Sequence, residues 1–499
     1  MALLLLLRLR LNMLVMMTSM PAWAIAQTPA PLPPPVLAAL AQAKVPVDAV
    51  SLMVVSTEAN KPPLLSHRTT QPMNPASVMK LVTTYAGLDL LGPAYSWRTP
   101  VLLKGTVRDG TLQGDLHLRG QGDPKLVTEK LWLLLRRVQA LGVQRISGDI
   151  VLDRSAFDLG NPDPGAFDGE PLKPYNASAD ALLINYKSLV ITFVPDPARG
   201  VARIAYEPML AGVSLPASVP LSLATPTATS ATSVGSAGSC PDYRGQLKAD
   251  FSNPARIVFA GTYPAACGER LWPVAYADPA NFAGRAVLGM WQEMGGQLGG
   301  SVRDGAWPTD KSAGTPQEAS FELSSPPLAD VIRDINKYSN NVMAQQLFLS
   351  LGLGPGPSSG TAASPEMARA RLAQWWRERM GDAPLPLVDN GSGLSRQSRI
   401  SASALARLLQ VAYASPTMPE LMSSLPLAGV DGTLKRSQVG PQGAAHLKTG
   451  SLRDVAAAAG YVLSGSGQRY VLVAMINHPN ASQARPAIDA LTRWVIQDL

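Results

Sequence analysis

The sequence predicts an α+β fold, in which an antiparallel sheet flanked by helices is interrupted by a large β-rich insertion. Three observations predict it. Helical patterns occur toward both ends of the chain, and two strand patterns joined by a tight turn precede the last helix. Between them lies a long stretch of short strands and turns.

The elements follow in order. Arg8 and Arg10, the apolar run Leu11 to Met20 and the small-x-small site Ala24-Ile25-Ala26 read as a secretory signal peptide over residues 1–26. The alternative is an uncleaved membrane anchor. Residues 27 to about 36 carry five prolines and read as an extended linker. Val50 to Val55 reads as a strand, and Asn74-Pro75 as the N-cap and first position of a helix over Ala76 to Leu88. Residues 27–97 form the first part of the main domain on this reading.

The texture changes near Trp97. Thr99 to Arg108 and Thr111 to Arg119 flank Asp109-Gly110, a hairpin signal. Leu131, Leu134, Leu135, Val138 and Leu141 recur at helical spacing, and Asp149 to Asp153 reads as a strand. Ser214 to Ser239 reads as a surface loop. The expected insertion spans residues 98–279, with small cores of its own. Residues 280–499 complete the main domain. There, helices are expected at Leu328–Lys337 and Val342–Leu351, and strands at Val455–Leu463 and Tyr470–Ile476. A last helix has Ile488, Leu491, Trp494 and Val495 on one side.

Composition narrows the function. A chain of 499 residues, 46% hydrophobic and 16% charged, suits two or three folded domains. The net charge of +7 falls to +5 when the leader's two arginines are removed, and the rest is scattered. No basic stripe or nucleic-acid module is present, although an anionic cell-wall polymer would suit the positive excess. The four histidines have no metal-ligand spacing, which argues against a zinc hydrolase, and no cofactor motif occurs. Cys240 and Cys267 are expected to close a loop as a disulfide in an oxidising compartment, two buried thiols being the alternative.

Three short patterns carry the chemistry. Ser77-Val78-Met79-Lys80 is the only Ser-x-x-Lys in the chain, Ser339-Asn340-Asn341 is a Ser-x-Asn, and Lys448-Thr449-Gly450 is the only Lys-Thr-Gly. A serine hydroxyl needs a base to become nucleophilic, and residues three apart on a helix share a face, so Lys80 reaches Ser77. Burial, or Lys448 nearby, would disfavour the charged amine and free Lys80 to accept a proton. Taken alone, Ser77 and Lys80 would read as an ordinary helix start. In this order, the set is the signature of serine β-lactamases and penicillin-binding proteins.

With Asp389-Asn390-Gly391-Ser392-Gly393-Leu394-Ser395-Arg396 and Leu427-Ala428-Gly429-Val430-Asp431-Gly432-Thr433-Leu434, the chain resembles the low-molecular-mass class C penicillin-binding proteins. These are D-alanyl-D-alanine carboxypeptidases and endopeptidases. Ser339 lies 262 positions after Ser77, wider than in a compact class A β-lactamase and in keeping with the family's insertion. The resemblance implies a penicillin-binding, β-lactamase-like transpeptidase domain whose insertion forms two extra domains. It implies Ser77 as nucleophile, Lys80 as proton acceptor, and Ser339 with Lys448 as the path to the leaving amine. Asn341 would hold the substrate amide, and the N–H groups of Ser77 and Ser451 would form the oxyanion hole. Thr449, Gly450 and Ser451 would meet the terminal carboxylate. Asp153 and Arg396 are the candidates for the zwitterionic end of diaminopimelate, surface ion pairing being their alternative reading. Peptidoglycan peptides as substrate, β-lactams as inhibitors and a periplasmic location follow, with peripheral membrane contact left open. A serine β-lactamase and a non-catalytic cell-wall binding protein remain the rival readings.

Overall fold

The computed structural model describes residues 31–58, 61–222, 240–310, 312–353 and 362–497. The expected signal peptide and residues 27–30 of the linker lie outside them.

The central sheet has five antiparallel strands in the order Ala445–Leu452, Val455–Leu463, Arg469–Asn477, Val50–Ser56 and Leu65–His67. Alternation along each strand sorts its side chains onto two faces. Ala457, Ala459, Tyr461, Val471, Val473 and Met475 pack into one core with the helices Lys80–Leu91, Leu328–Lys337, Asn341–Ser350 and Ala402–Tyr413. Ala456, Ala458, Val462, Leu472, Ala474 and Ile476 face the helices Pro34–Gln42 and Arg485–Ile496. The Val-Ala-Ala-Ala-Ala run of the second strand gives both helical layers short side chains to close upon. The edge strand Ala445–Leu452 carries Lys-Thr-Gly.

Two corrections arise here. Pro34 and Pro35 open a helix instead of extending the linker, because the first helical positions need no intrahelical N–H donor and favour proline's fixed φ. The expected helix from Ala76 is a 3-10 turn, Ala76–Met79, followed by the α-helix from Lys80. Asn74 Oδ1 accepts from the Ala76 N–H at 2.9 Å, but Ala76 has φ +48° and so lies outside helical backbone.

The inserted region contains two larger sheets. In the first, the hairpin Arg98–Arg108 and Thr111–Arg119 pairs outward to Arg145–Ile146, Ile150–Asp153 and Phe321–Ser324. In the second, Tyr263–Pro264, Ser218–Ser222, Val201–Glu207, Ser188–Asp196 and Arg270–Ala275 lie side by side. One continuous cluster of buried side chains, from Val101 to Leu323, underlies both sheets in place of separate small cores. The first sheet also takes Gln297–Leu298 and Val302–Asp304, so its strands run past residue 279. Ser218–Ser222 is a strand within the expected surface loop, stabilised by antiparallel pairing with Val201–Arg203. The rest of that loop, 223–239, lies outside the described residues. Cys240 and Cys267 are joined in a disulfide.

The two regions are tied where the site lies. Gln346, buried on the Asn341–Ser350 helix, accepts from the Asp180 N–H and donates to the Asp180 carbonyl, at 2.9 and 2.8 Å. Lys125 pairs with Asp334 at 2.7 Å.

Candidate active site

Several long-range hydrogen bonds hold the turn that carries Ser77. The Asn74 N–H donates to Asn477 Oδ1, the Asn477 amide returns a bond to the Asn74 carbonyl, and Asn74 Nδ2 donates to the Ser395 carbonyl. Two glycines then let backbone approach closely. A Cβ on Gly393 would stand 1.9 Å from the Ala76 carbonyl oxygen. One on Gly450 would stand 2.5 Å from the Pro75 oxygen and 3.1 Å from the Ser77 nitrogen. The glycine of Lys-Thr-Gly therefore brings the edge strand against the Ser77 backbone.

Lys80 is fully buried on the first turn of its helix. Its Nζ lies 3.0 Å from Ser77 Oγ, 2.6 Å from Asn341 Oδ1 and 2.6 Å from the Ser392 carbonyl oxygen. Burial, and secondarily the Lys448 charge, hold its pKa well below the ordinary lysine value. In the neutral amine, two N–H groups remain and one lone pair appears. The Asn341 and Ser392 oxygens can only accept, so they take the two N–H bonds and the lone pair faces the Ser77 hydroxyl. The orientation of the Asn341 amide is fixed from its other side, because Nδ2 donates to the Tyr175 carbonyl at 3.1 Å. That carbonyl, supplied by the inserted region, also only accepts.

Lys448 is buried and donates to Ser339 Oγ at 2.9 Å and to the Thr449 carbonyl at 2.7 Å. Burial brings its pKa down to about 7. Ser339 has φ +57°, and the neighbouring Asn340 caps the following helix by accepting from the Met343 N–H at 3.0 Å. Lys337, on the preceding helix, donates to Asp431 Oδ2 at 2.5 Å and to the Leu425 carbonyl at 2.9 Å. This anchors the glycine-rich loop whose Thr433 hydroxyl meets that of Thr449 at 2.8 Å. Ser77, Lys80 and Asn341 thus form one set of short contacts and Ser339, Lys448 and Thr449 another, and Gly450, abutting the Ser77 backbone, brings the two sets together.

The pairing of Asp153 with Arg396 needs correcting. Asp153 is only 2% exposed, ion-paired with Arg119 at 3.3 Å and accepting from the Ser155 and Trp307 N–H groups. It is a structural carboxylate of its sheet, shut off from a solvated zwitterion. Arg396 instead pairs with Asp454 at 2.9 Å and lies over the Phe167 ring at 4.8 Å. The inserted-region acid that feels its charge is the exposed Asp168. Desolvation pushes the Asp168 carboxyl up, but the hydrogen bonds from Asn176, Tyr175 and the Glu170 N–H, together with Arg396, outweigh it and lower its pKa on balance. Sequence reading missed Asp168, the Tyr175 and Ser392 carbonyls, and Arg485, whose guanidinium donates to Ser451 Oγ at 2.6 Å. Only Asp168 carried a signal, as an acid beside an aromatic residue in a turn-rich segment.

Residues 35–497 match the model of the D-Ala-D-Ala carboxypeptidase 3 (S13) family. The chain is similar to the D-alanyl-D-alanine carboxypeptidase of Actinomadura sp. (strain R39), 29% identical over 454 residues, covering 88% of this chain and 80% of that one. Its fold is similar to the crystal structure of penicillin binding protein 4 from Haemophilus influenzae. The TM-score is 0.67 at 21% identity, covering 92% of this chain and 99% of the other. A structure of that protein complexed with a β-lactam gives a TM-score of 0.64 at 20% identity, covering 89% and 96%.

Proposed function

The chain belongs to the D-Ala-D-Ala carboxypeptidase 3 (S13) family, and from that premise we propose how its residues divide the work. The protein is a serine-type D-Ala-D-Ala hydrolase of peptidoglycan stem peptides, acting as a carboxypeptidase, an endopeptidase or both. Ser77 Oγ attacks the carbonyl between the terminal residues while its proton passes to neutral Lys80. The N–H groups of Ser77 and Ser451 stabilise the oxyanion. The proton reaches the leaving amine through Ser339 and Lys448, the C–N bond breaks, and water later cleaves the ester on Ser77. A β-lactam undergoes the same first step and is retained as an acyl-enzyme.

The single observation carrying this reading is the hydrogen bonding of Lys80, whose two carbonyl partners leave its lone pair for the Ser77 proton. The test is penicillin adduct mass and D-alanine release from muropeptides, comparing wild type with Ser77→Ala. The variant should form no adduct and release no D-alanine. Equal release by both would end the assignment.

Arg396 and Asp168, with Phe167 beneath the guanidinium, are proposed to receive the free amino-acid end of a diaminopimelate side chain. The chain division is proposed with the inserted region extending to Ser324, the last strand of its first sheet. Export to the periplasm through a leader over residues 1–26 completes the reading. Among the described residues, no helix is long and apolar enough to cross a membrane.

A further inference from the structure

Ser339 and Lys448 meet at 2.9 Å but belong to different elements. Ser339 follows the Leu328–Lys337 helix, and Lys448 lies on the edge strand Ala445–Leu452. Residues 425–433 touch both. On the strand side the contacts are mostly backbone: the Ala428 N–H donates to the Ala445 carbonyl at 2.9 Å, and the Leu447 N–H to the Pro426 carbonyl at 3.0 Å. The Thr433 hydroxyl adds its contact with Thr449, the residue after Lys448. On the helix side the holding group is Lys337. Its side chain is 7% exposed, and its ammonium donates to the Leu425 carbonyl at 2.9 Å and to Asp431 Oδ2 at 2.5 Å. Asp431 Oδ1 also accepts from the Leu427 N–H at 2.9 Å, so one carboxylate fixes both the cation and the turn of the loop.

Backbone packing at the same residue tightens the tie. Gly432 has φ +55°, and a Cβ there would stand 2.6 Å from the Lys337 carbonyl oxygen. Two positions further on, Ser339 adopts φ +57°, a left-handed backbone that a residue with a Cβ keeps only where its surroundings hold it. A charge-assisted bond between buried or half-buried partners is a strong and directional tie. Movement of the helix end relative to the strand changes the Ser339–Lys448 distance directly. The turn carrying Ser77 is held separately, by Asn477 and the Ser395 carbonyl.

We infer that Lys337 is a positioning residue for the proton path to the leaving amine. Its ion pair with Asp431 keeps the helix end and the edge strand at the separation across which Ser339 and Lys448 pass that proton. The inference rests on the function proposed above and deepens it. Breaking the C–N bond of a peptide requires a proton on the nitrogen, because an unprotonated amide anion is too basic to depart. A thioester at the same place requires none: the C–S bond breaks and the sulfur leaves with the electron pair as a thiolate. Both substrates share the attack by Ser77 and the developing oxyanion. A fault confined to the proton path therefore slows the peptide alone, whereas a general loosening of the site slows both.

The test compares wild type, Lys337→Met, Asp431→Asn and the double variant on two substrates that differ only in the leaving group. One is a peptide ending in D-Ala-D-Ala, the other its analogue ending in D-alanyl-thioglycolate, and both keep the terminal carboxylate. In Lys337→Met, kcat/KM for the peptide should fall by about 10- to 100-fold, and for the thioester by less than about threefold. Asp431 is 32% exposed and its asparagine variant is isosteric, so Asp431→Asn should fold and show the same split. The double variant should lose no more than Lys337→Met alone, because the two side chains form one contact. Should Lys337→Met fail to fold, Asp431→Asn carries the test. An equal fall on both substrates, or no fall on the peptide, would overturn the inference while leaving the proposed function standing. Failure of wild type to cleave either substrate would overturn the proposed function as well.

Discussion

Replacing Gly393 by alanine should disable the nucleophile without touching any reacting group. Gly393 has φ +76°, and its added Cβ would lie 1.9 Å from the Ala76 carbonyl oxygen and 3.1 Å from Met79 Cβ. Cβ contacts below 3.0 Å essentially do not occur, so the oxygen must retreat by about 1.1 Å, from 1.9 to at least 3.0 Å. That oxygen belongs to the peptide group whose nitrogen is Ser77 N, the proposed oxyanion donor, so the displacement passes directly to the reacting residue. A misplacement of about 1 Å costs on the order of 100-fold in rate. The left-handed backbone adds about 1 kcal/mol of destabilisation for any residue with a Cβ. Gly467→Ala separates the two effects, because Gly467 has φ +83° but nothing within 4 Å of the added carbon. The assay is the second-order rate of acylation by a fluorescent penicillin, measured with thermal unfolding of each variant. Gly393→Ala should be acylated about 100-fold more slowly, whereas Gly467→Ala should lose only stability. A Gly393→Ala protein that is folded and acylated at the wild-type rate would refute the reasoning.

Three further outcomes follow from the charges. Lys448 helps to hold the Lys80 amine neutral, so Lys448→Met should move the acidic limb of the acylation pH profile toward alkaline pH, and an unmoved limb would count against the pairing. Because the Lys448 pKa falls from 10.5 to about 7 on folding, the unfolded chain binds more protons between those values. Stability should therefore rise with pH across that window, and rise less in the variant. Asp168→Asn should raise KM for peptides with a free diaminopimelate end by about two- to fivefold, the scale of an exposed charge pair, leaving peptides without that end unaffected. Equal effects on both peptides would remove Asp168 from the pocket.

The chain's sequence determined its local elements and the order of its chemistry. The Asp109-Gly110 hairpin, the Leu328–Lys337 helix and the continuously apolar strand Val455–Leu463 are set by hydrophobic patterns and turn residues that act over a few positions. Ser-x-x-Lys on one helical face brings an amine to a hydroxyl wherever the chain places it, so Ser77 and Lys80 were legible as a pair. Tertiary structure decided what surrounds them. The Ser392 and Tyr175 carbonyls that orient Lys80 and Asn341 are backbone atoms present in every residue, so no side-chain pattern marks them. Asp153 and Asp168 look alike in a sequence; one was buried by its sheet, with Trp307 closing over it, and the other left exposed near Arg396, partners far from either in the chain. Arg485 met Ser451 because the last helix packs across the sheet, and a surface arginine announces no such partner beforehand. Short-range preferences are written in neighbouring residues, whereas burial and long-range contact exist only once the whole chain has closed on itself.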